Sequence, residues 1–213
     1  MVIDFLTVCM MLAALAVFSL RNYKKSIIAY QLCAAFLIAI FFTLYIEHGV
    51  KELLVLGIIG IFTKFLFVPA VLFYIVNKLK LVYADEPVAG FFVSPIIALS
   101  FSLAAAMSLY GVFKDFALIK AALPLVASGF VFMIGVFGFI LRNSFIKHIL
   151  SYCLFENGIH LTMSLLAYDA HEIVELGVLT DAIFAVVIMG ILAVRYYDNH
   201  KSVDTSKATN LRG

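Results

Sequence analysis

The stretch that decides the fold is FIKHILSYCLFENGIHLTMSLLA, residues 145–167, followed after a short polar break by IVELGVLTDAIFAVVIMGILAV, residues 173–194. Each segment is long enough to cross a hydrocarbon layer of ~30 Å as a helix that rises ~1.5 Å per residue. Each also carries an acid near its middle, Glu156 in the first and Asp181 in the second. Because the second helix runs back through the membrane, we predict both acids close to the midplane.

The composition places the whole chain in the membrane. Of its 213 residues, 65% are hydrophobic and 13% are charged, and the mean hydropathy is +1.12. Soluble domains are much more polar, so we predict an all-α polytopic membrane protein of about seven transmembrane helices. The predicted spans are residues 2–20, 26–46, 53–76, 90–112, 117–141, 145–167 and 173–194.

The distribution of basic residues predicts the orientation. The chain has 15 Lys and Arg residues, of which eleven fall on the side of the membrane that holds the carboxyl terminus and three on the other side. The remaining one, Lys64, lies inside the third span. This bias predicts an external amino terminus and a cytoplasmic carboxyl terminus. The basic residues sit at membrane edges and form no patch for nucleic acid.

The first three and last three spans read as two copies of one unit; the alternative is a chance likeness between apolar sequences. Arg21-Asn22 precedes the second span as Arg142-Asn143 precedes the sixth, and Tyr30 corresponds to Tyr152. In this alignment Lys64 falls one helical turn beyond the position of Asp181. The predicted organisation is an amino-terminal three-helix unit (1–80), a linking loop and fourth helix (81–116), a second three-helix unit (117–195) and a polar cytoplasmic tail (196–213).

Three polar residues on the sixth span make proton handling the default hypothesis. Tyr152, Glu156 and His160 are four residues apart, so neighbouring members share a helix face. An ionised side chain at the bilayer centre costs at least ~2.5–3.5 kcal/mol on insertion scales, so it is usually paired, protonated or facing water. The alternative is that His160 only makes a structural hydrogen bond. We predict that Lys64 is a buried functional base; the alternative is that its side chain extends towards the interface.

Two prolines fall inside predicted spans. Pro69 follows Lys64 by about one turn and Pro124 lies in the fifth span. Each removes a backbone hydrogen bond, so each is a candidate kink.

Enzyme motifs are absent from the sequence. It has no GxGxxG, no Walker loop and no nucleophile elbow, and its three cysteines are isolated and read as small apolar residues. We therefore predict neither a catalytic residue nor a metal or cofactor site in this chain.

A family resemblance rests on YCLFENGIHL (152–161), ELG (175–177) and TDAIFAV (180–186). These strings resemble the hydrogenase-4 component E family, membrane subunits of formate-hydrogenlyase-type group 4 NiFe hydrogenases. The last three spans are also similar to the K-type (4L) subunit of complex I, whose second and third helices each carry a membrane glutamate. Glu156 matches the first glutamate, and Asp181 matches the second as the shorter acid.

The resemblance implies a non-catalytic subunit of a larger complex in a bacterial or archaeal cytoplasmic membrane. The expected partners are an H-type anchor subunit, antiporter-like subunits and, indirectly, a hydrogenase module that holds the NiFe centre and iron-sulfur clusters. Protons or sodium ions would move along Glu156, Asp181, His160, Lys64 and Tyr152. Two alternatives stay open: a subunit of a multisubunit cation/proton antiporter, and a purely structural anchor. A retinal-type receptor is disfavoured because the last span has no lysine.

Overall fold

The computed structural model describes residues 2–84, 86–167 and 171–206, with the side chains of 171–182 and 184 left outside the description. Within these ranges the chain forms seven helices and no strand, which confirms the all-α prediction. They are α1 Val2–Ser19, α2 Tyr23–His48, α3 Lys51–Lys78, α4 Gly90–Phe113, α5 Ala122–Leu141, α6 Phe145–Leu166 and α7 His171–His200. Helices α1 to α5 have the length and apolar composition of membrane spans. The chain is a multi-pass membrane protein.

The helices pack as two groups of three that face each other. In one group α2 contacts α1 and α3, and in the other α6 contacts α5 and α7. Across the groups, α1 contacts α5, α2 contacts α6 and α3 contacts α7. Helix α4 lies outside this arrangement, against α5 and α1. The middle helix of each group is thus held by its own group and by its counterpart.

Helices α5 and α6 approach closely enough for their backbones to touch, because glycines line the seam. A Cβ atom on Gly135 would lie 2.5 Å from the backbone nitrogen of Phe155, and one on Gly158 would lie 2.5 Å from that of Phe132. Small residues at a helix interface allow such contact in membranes, where van der Waals packing drives association. The seam fixes the position of the α6 segment that carries Glu156.

A short antiparallel backbone pairing holds the start of α2. Tyr23 N donates to Val82 O at 3.1 Å, and Ala84 N donates to Arg21 O at 2.8 Å. The amide groups at the start of a helix have no acceptor within the helix, so they need an external one. The segment that follows α3 supplies it.

The same pairing recurs at the start of α6. Phe145 N donates to Val203 O at 3.1 Å, and Thr205 N donates to Asn143 O at 3.2 Å. Residues 196–205 of the predicted polar tail therefore include the end of α7 and a segment that pairs with the start of α6. Helix α7 continues to His200, and the buried Val203 lies where its carbonyl accepts a hydrogen bond from the first turn of α6.

The fifth helix begins five residues later than predicted. Residues 117–121 are apolar except for Lys120, but they form an irregular connection in which Ile119 N donates to Leu165 O at 3.1 Å. Pro124 consequently falls in the first turn of α5, where its missing N–H would have had no helical acceptor. The prediction that Pro124 removes a hydrogen bond inside a span is wrong for this reason.

Two cations counted as membrane-edge anchors are instead buried inside the protein. The Lys147 ammonium donates to Val17 O at 2.7 Å, Leu20 O at 2.6 Å and Ser26 Oγ at 2.7 Å. The Arg142 guanidinium group donates to Phe18 O, which is also in the last turn of α1. Carbonyls at a helix carboxyl end lack intrahelical donors and carry partial negative charge. Burial lowers the pKa of Arg142 to about 10, which leaves it cationic at neutral pH.

We predict that Lys147→Met lowers the free energy of unfolding by about 1.5–3 kcal/mol, because hydrogen bonds from a charged donor to the end of α1 are lost. Thermal unfolding of the detergent-solubilised protein measures the change. Lys24→Met is the matched control, since Lys24 is exposed and surface substitutions usually stay within about 0.5 kcal/mol. Equal stability of the two variants would contradict the capping role of Lys147.

Candidate functional site

The central feature of the site is a buried ion pair between the two helix groups. Lys64 Nζ on α3 lies 3.0 Å from Glu156 Oε1 and 2.9 Å from Asn157 Oδ1 on α6, and donates to both. Lys64 is 2% exposed and Glu156 is 5% exposed. Two predicted site residues that are far apart in the sequence are therefore in direct contact. Asn157 joins them, although the sequence pattern did not predict it as a site residue.

His160 lies one turn along α6 from Glu156, on the same face. Its Nδ1 atom is 3.6 Å from Glu156 Oε1, which is too long for a hydrogen bond. Within the described residues, His160 Nδ1 and Asn157 Nδ2 are buried without a hydrogen-bond partner. Buried polar atoms are usually satisfied, so these two unpartnered nitrogens beside one carboxylate are an exception among the described residues.

A π-helical segment, Ile61–Phe67, positions Lys64. Within α3, Val68 N donates to Thr63 O, five residues back, and Pro69 follows without an N–H group. Pro69 therefore cannot satisfy Phe65 O, and Gln31 Nε2 on α2 donates to that carbonyl at 3.1 Å. The proline predicted to disturb this helix does so by a change of helical register that lies directly at the lysine.

The inner face of α2 completes the surroundings of the pair. Tyr30 is buried beside Cys153, and Cys33 lies near Asn157 and donates to Met10 O at 3.8 Å. Cys33 and Cys153 are free thiols. The isolated positions of these cysteines in the sequence predicted small apolar residues, but both border the site.

The remaining predicted site residues are less closely tied to the pair. Tyr152 is half-buried, with its ring centroid 6.4 Å from that of Phe155. Asp181 belongs to α7, which packs against α6 and the π segment of α3, but its side chain lies outside the described residues. The roles of Tyr152 and Asp181 in ion movement stay predictions.

Comparison with known proteins places the chain in a family. Residues 123–213 match the family model for NADH-ubiquinone/plastoquinone oxidoreductase chain 4L. Hydrogenase-4 component E of Escherichia coli K12 is 33% identical over 214 residues, covering 100% of this chain and 98% of the relative. The chain belongs to the hydrogenase-4 component E family. The hydrogenase-4 component E proteins of Escherichia coli O157:H7 and Shigella flexneri match with the same identity and coverage. No solved structure matches.

The chain 4L match divides the site of this hydrogenase-4 component E family member into two parts. Glu156, Asn157 and His160 lie within the matched residues 123–213, whereas Lys64 lies outside them. The acid therefore comes from the part that resembles chain 4L, and its basic partner comes from the amino-terminal helix group of the same chain.

Proposed function

We propose that this chain is a non-catalytic membrane subunit of a complex I-related hydrogenase of the formate hydrogenlyase type, and that it takes part in ion translocation. The proposal is supported by the names of its relatives and by the chain 4L match. The observation that carries the translocation role is the buried Lys64–Glu156 pair. The proposed partners are an H-type anchor subunit, antiporter-like subunits and a cytoplasmic hydrogenase module that holds the metal centres. The amino terminus lies outside and the carboxyl terminus in the cytoplasm.

Lys64 and Glu156 can take part in ion translocation because each of the two side chains controls the charge of the other. A carboxylate and an ammonium group buried together are stable, but removing one charge leaves the other uncompensated at a cost of about 3–5 kcal/mol. Protonation of Glu156 therefore weakens its electrostatic attraction to Lys64. Movement of the Lys64 ammonium group away from Glu156 in turn favours protonation of the carboxylate. A charge that shifts in a neighbouring subunit can be passed on by this exchange.

The proposed route for the proton passes through His160, whose Nδ1 atom lies 3.6 Å from Glu156 Oε1. When the imidazole is protonated, a small rotation brings its Nδ1–H to Glu156 Oε1, the N–H bond breaks and an O–H bond forms on the carboxyl group. The imidazole becomes neutral, and Lys64 keeps its hydrogen bond to Asn157 Oδ1. The reverse transfer restores the ion pair. This step needs only groups that the chain already holds close together.

The proposal is tested by ion pumping in inverted membrane vesicles that contain the intact complex. Glu156→Gln keeps the shape of the side chain and removes its proton exchange, so we expect pumping to fall at least about tenfold at equal assembly and hydrogen turnover. Glu86→Gln, in the exposed loop before α4, is the control and should pump normally. Normal pumping by assembled Glu156→Gln would show that the pair is structural and the chain only an anchor.

A further inference from the structure

We infer that Lys64 decides which cation this site accepts, because its ammonium group occupies the position between Glu156 and Asn157 that a sodium ion would otherwise take. The inference rests on the proposed function, since only a site on the ion path has to choose between cations. It adds a specificity-determining role for Lys64 and makes the proton the ion exchanged at this site.

The two oxygen atoms that hold the Lys64 ammonium group are also suitable ligands for a metal cation. Glu156 Oε1 and Asn157 Oδ1 come from consecutive residues of α6 and converge on one point, where the Lys64 nitrogen lies 3.0 and 2.9 Å away. A carboxylate and an amide carbonyl are the oxygen ligands that hard cations prefer. Without the lysine, these two oxygens would form the beginning of a site for a small monovalent cation.

The Lys64 ammonium group is covalently part of the chain and is enclosed by the protein. Lys64 is 2% exposed, so no layer of bulk water screens its charge from a second cation. Its backbone is held by the π segment, and therefore its local concentration at the two oxygens is high whatever the ion content of the medium. Sodium would have to displace this group or share the space with it.

The other polar atoms around the Lys64–Glu156 pair are poor ligands for sodium. The atoms left without partners there are an amide N–H₂ on Asn157 and an imidazole nitrogen on His160, and neither is a good ligand for sodium. The other titratable groups that face the site are Tyr30, Cys33 and Cys153, with the Asp181 side chain outside the description. No group of three or more His, Cys, Asp or Glu side chains suited to a metal ion occurs in the described parts. A proton, by contrast, needs only one acceptor atom.

The test measures whether sodium protects Glu156 from a hydrophobic carbodiimide, which reacts with carboxyl groups in apolar surroundings. The intact complex in native membranes is treated at a dose that labels a measurable fraction of wild-type Glu156, in sodium chloride or in choline chloride of equal ionic strength. Mass spectrometry of the subunit gives the labelled fraction. We compare the wild type with Lys64→Ala, and we use Lys120→Ala, at an exposed position, as the matched control.

We expect labelling in the wild type and in Lys120→Ala to be the same in both salts, and labelling in Lys64→Ala to fall at least threefold in sodium. If Lys64→Ala does not assemble, Lys64→Gln serves in its place, since it also removes the charge but keeps a polar side chain. Sodium protection of the wild type would overturn the inference, and so would the absence of protection in the assembled lysine variant. The Glu156→Gln pumping result is independent: a pumping defect together with sodium protection of the wild type would keep the proposed function and reject the proton.

Discussion

Replacing Lys64 by methionine is expected to lower the free energy of unfolding by about 3–5 kcal/mol, because the Glu156 carboxylate would lose the ammonium group that lies 3.0 Å from it. Methionine fills most of the lysine volume, so the loss reports on charge more than on packing. Thermal unfolding of the solubilised protein at neutral pH measures the change.

The double variant Lys64→Met/Glu156→Gln distinguishes this explanation from a packing defect. With both charges removed, no uncompensated charge remains in the apolar interior, and we expect the double variant to regain at least half of the stability lost by Lys64→Met alone. If the stability losses of Lys64→Met and Glu156→Gln simply added in the double variant, the two side chains would not form a direct ion pair.

Adding one methyl group at the α5–α6 seam is expected to have an effect of similar size. Gly135→Ala and Gly158→Ala each place a Cβ atom 2.5 Å from a backbone nitrogen of the facing helix, and a backbone cannot turn away as a side chain can. We expect each variant to lose about 3 kcal/mol or more and to reduce the amount of assembled complex. Thermal unfolding and the yield of intact complex measure the two effects.

Gly111→Ala provides the control for the seam variants. Nothing lies within 4 Å of a Cβ atom built on Gly111, so its main effect should be the gain in helix propensity of up to about 1 kcal/mol. Seam variants as stable as Gly111→Ala would show that the two backbones have room to separate.

The sequence predicted the helices well because hydropathy is a local property. Each of the seven predicted spans overlaps one observed helix, and the errors lie at the ends, where other forces act. Residues 117–121 are mostly apolar, with Lys120 as the exception, but they form an irregular connection in which Ile119 N donates to Leu165 O. Hydropathy does not report on contacts of that kind.

The site was only half predictable. The depth of Glu156 and Lys64 follows from counting residues along apolar spans, but their contact joins positions 92 residues apart, and that depends on how the two helix groups face each other. Asn157 was missed because an uncharged amide is a weaker signal than a charge, although an amide at the membrane midplane also needs a partner. The burial of Lys147 was missed because a count of charges uses position along the chain and ignores the open carbonyls of α1.

Under the proposed ion exchange, the contrast between the α5–α6 seam and the π segment would determine how the pair responds to the membrane potential. Glu156 sits on a helix that its neighbour holds at backbone contact, so the negative charge stays where it is. Lys64 is at the end of a flexible side chain, on a helix turn where one carbonyl depends on the Gln31 side chain. If the proposed exchange separates the pair, the charge that changes depth is therefore positive. A full crossing is worth about 2.3 kcal/mol per 100 mV, so even a partial displacement would make the proposed step voltage-dependent, with an interior-negative potential drawing the ammonium group towards the cytoplasm.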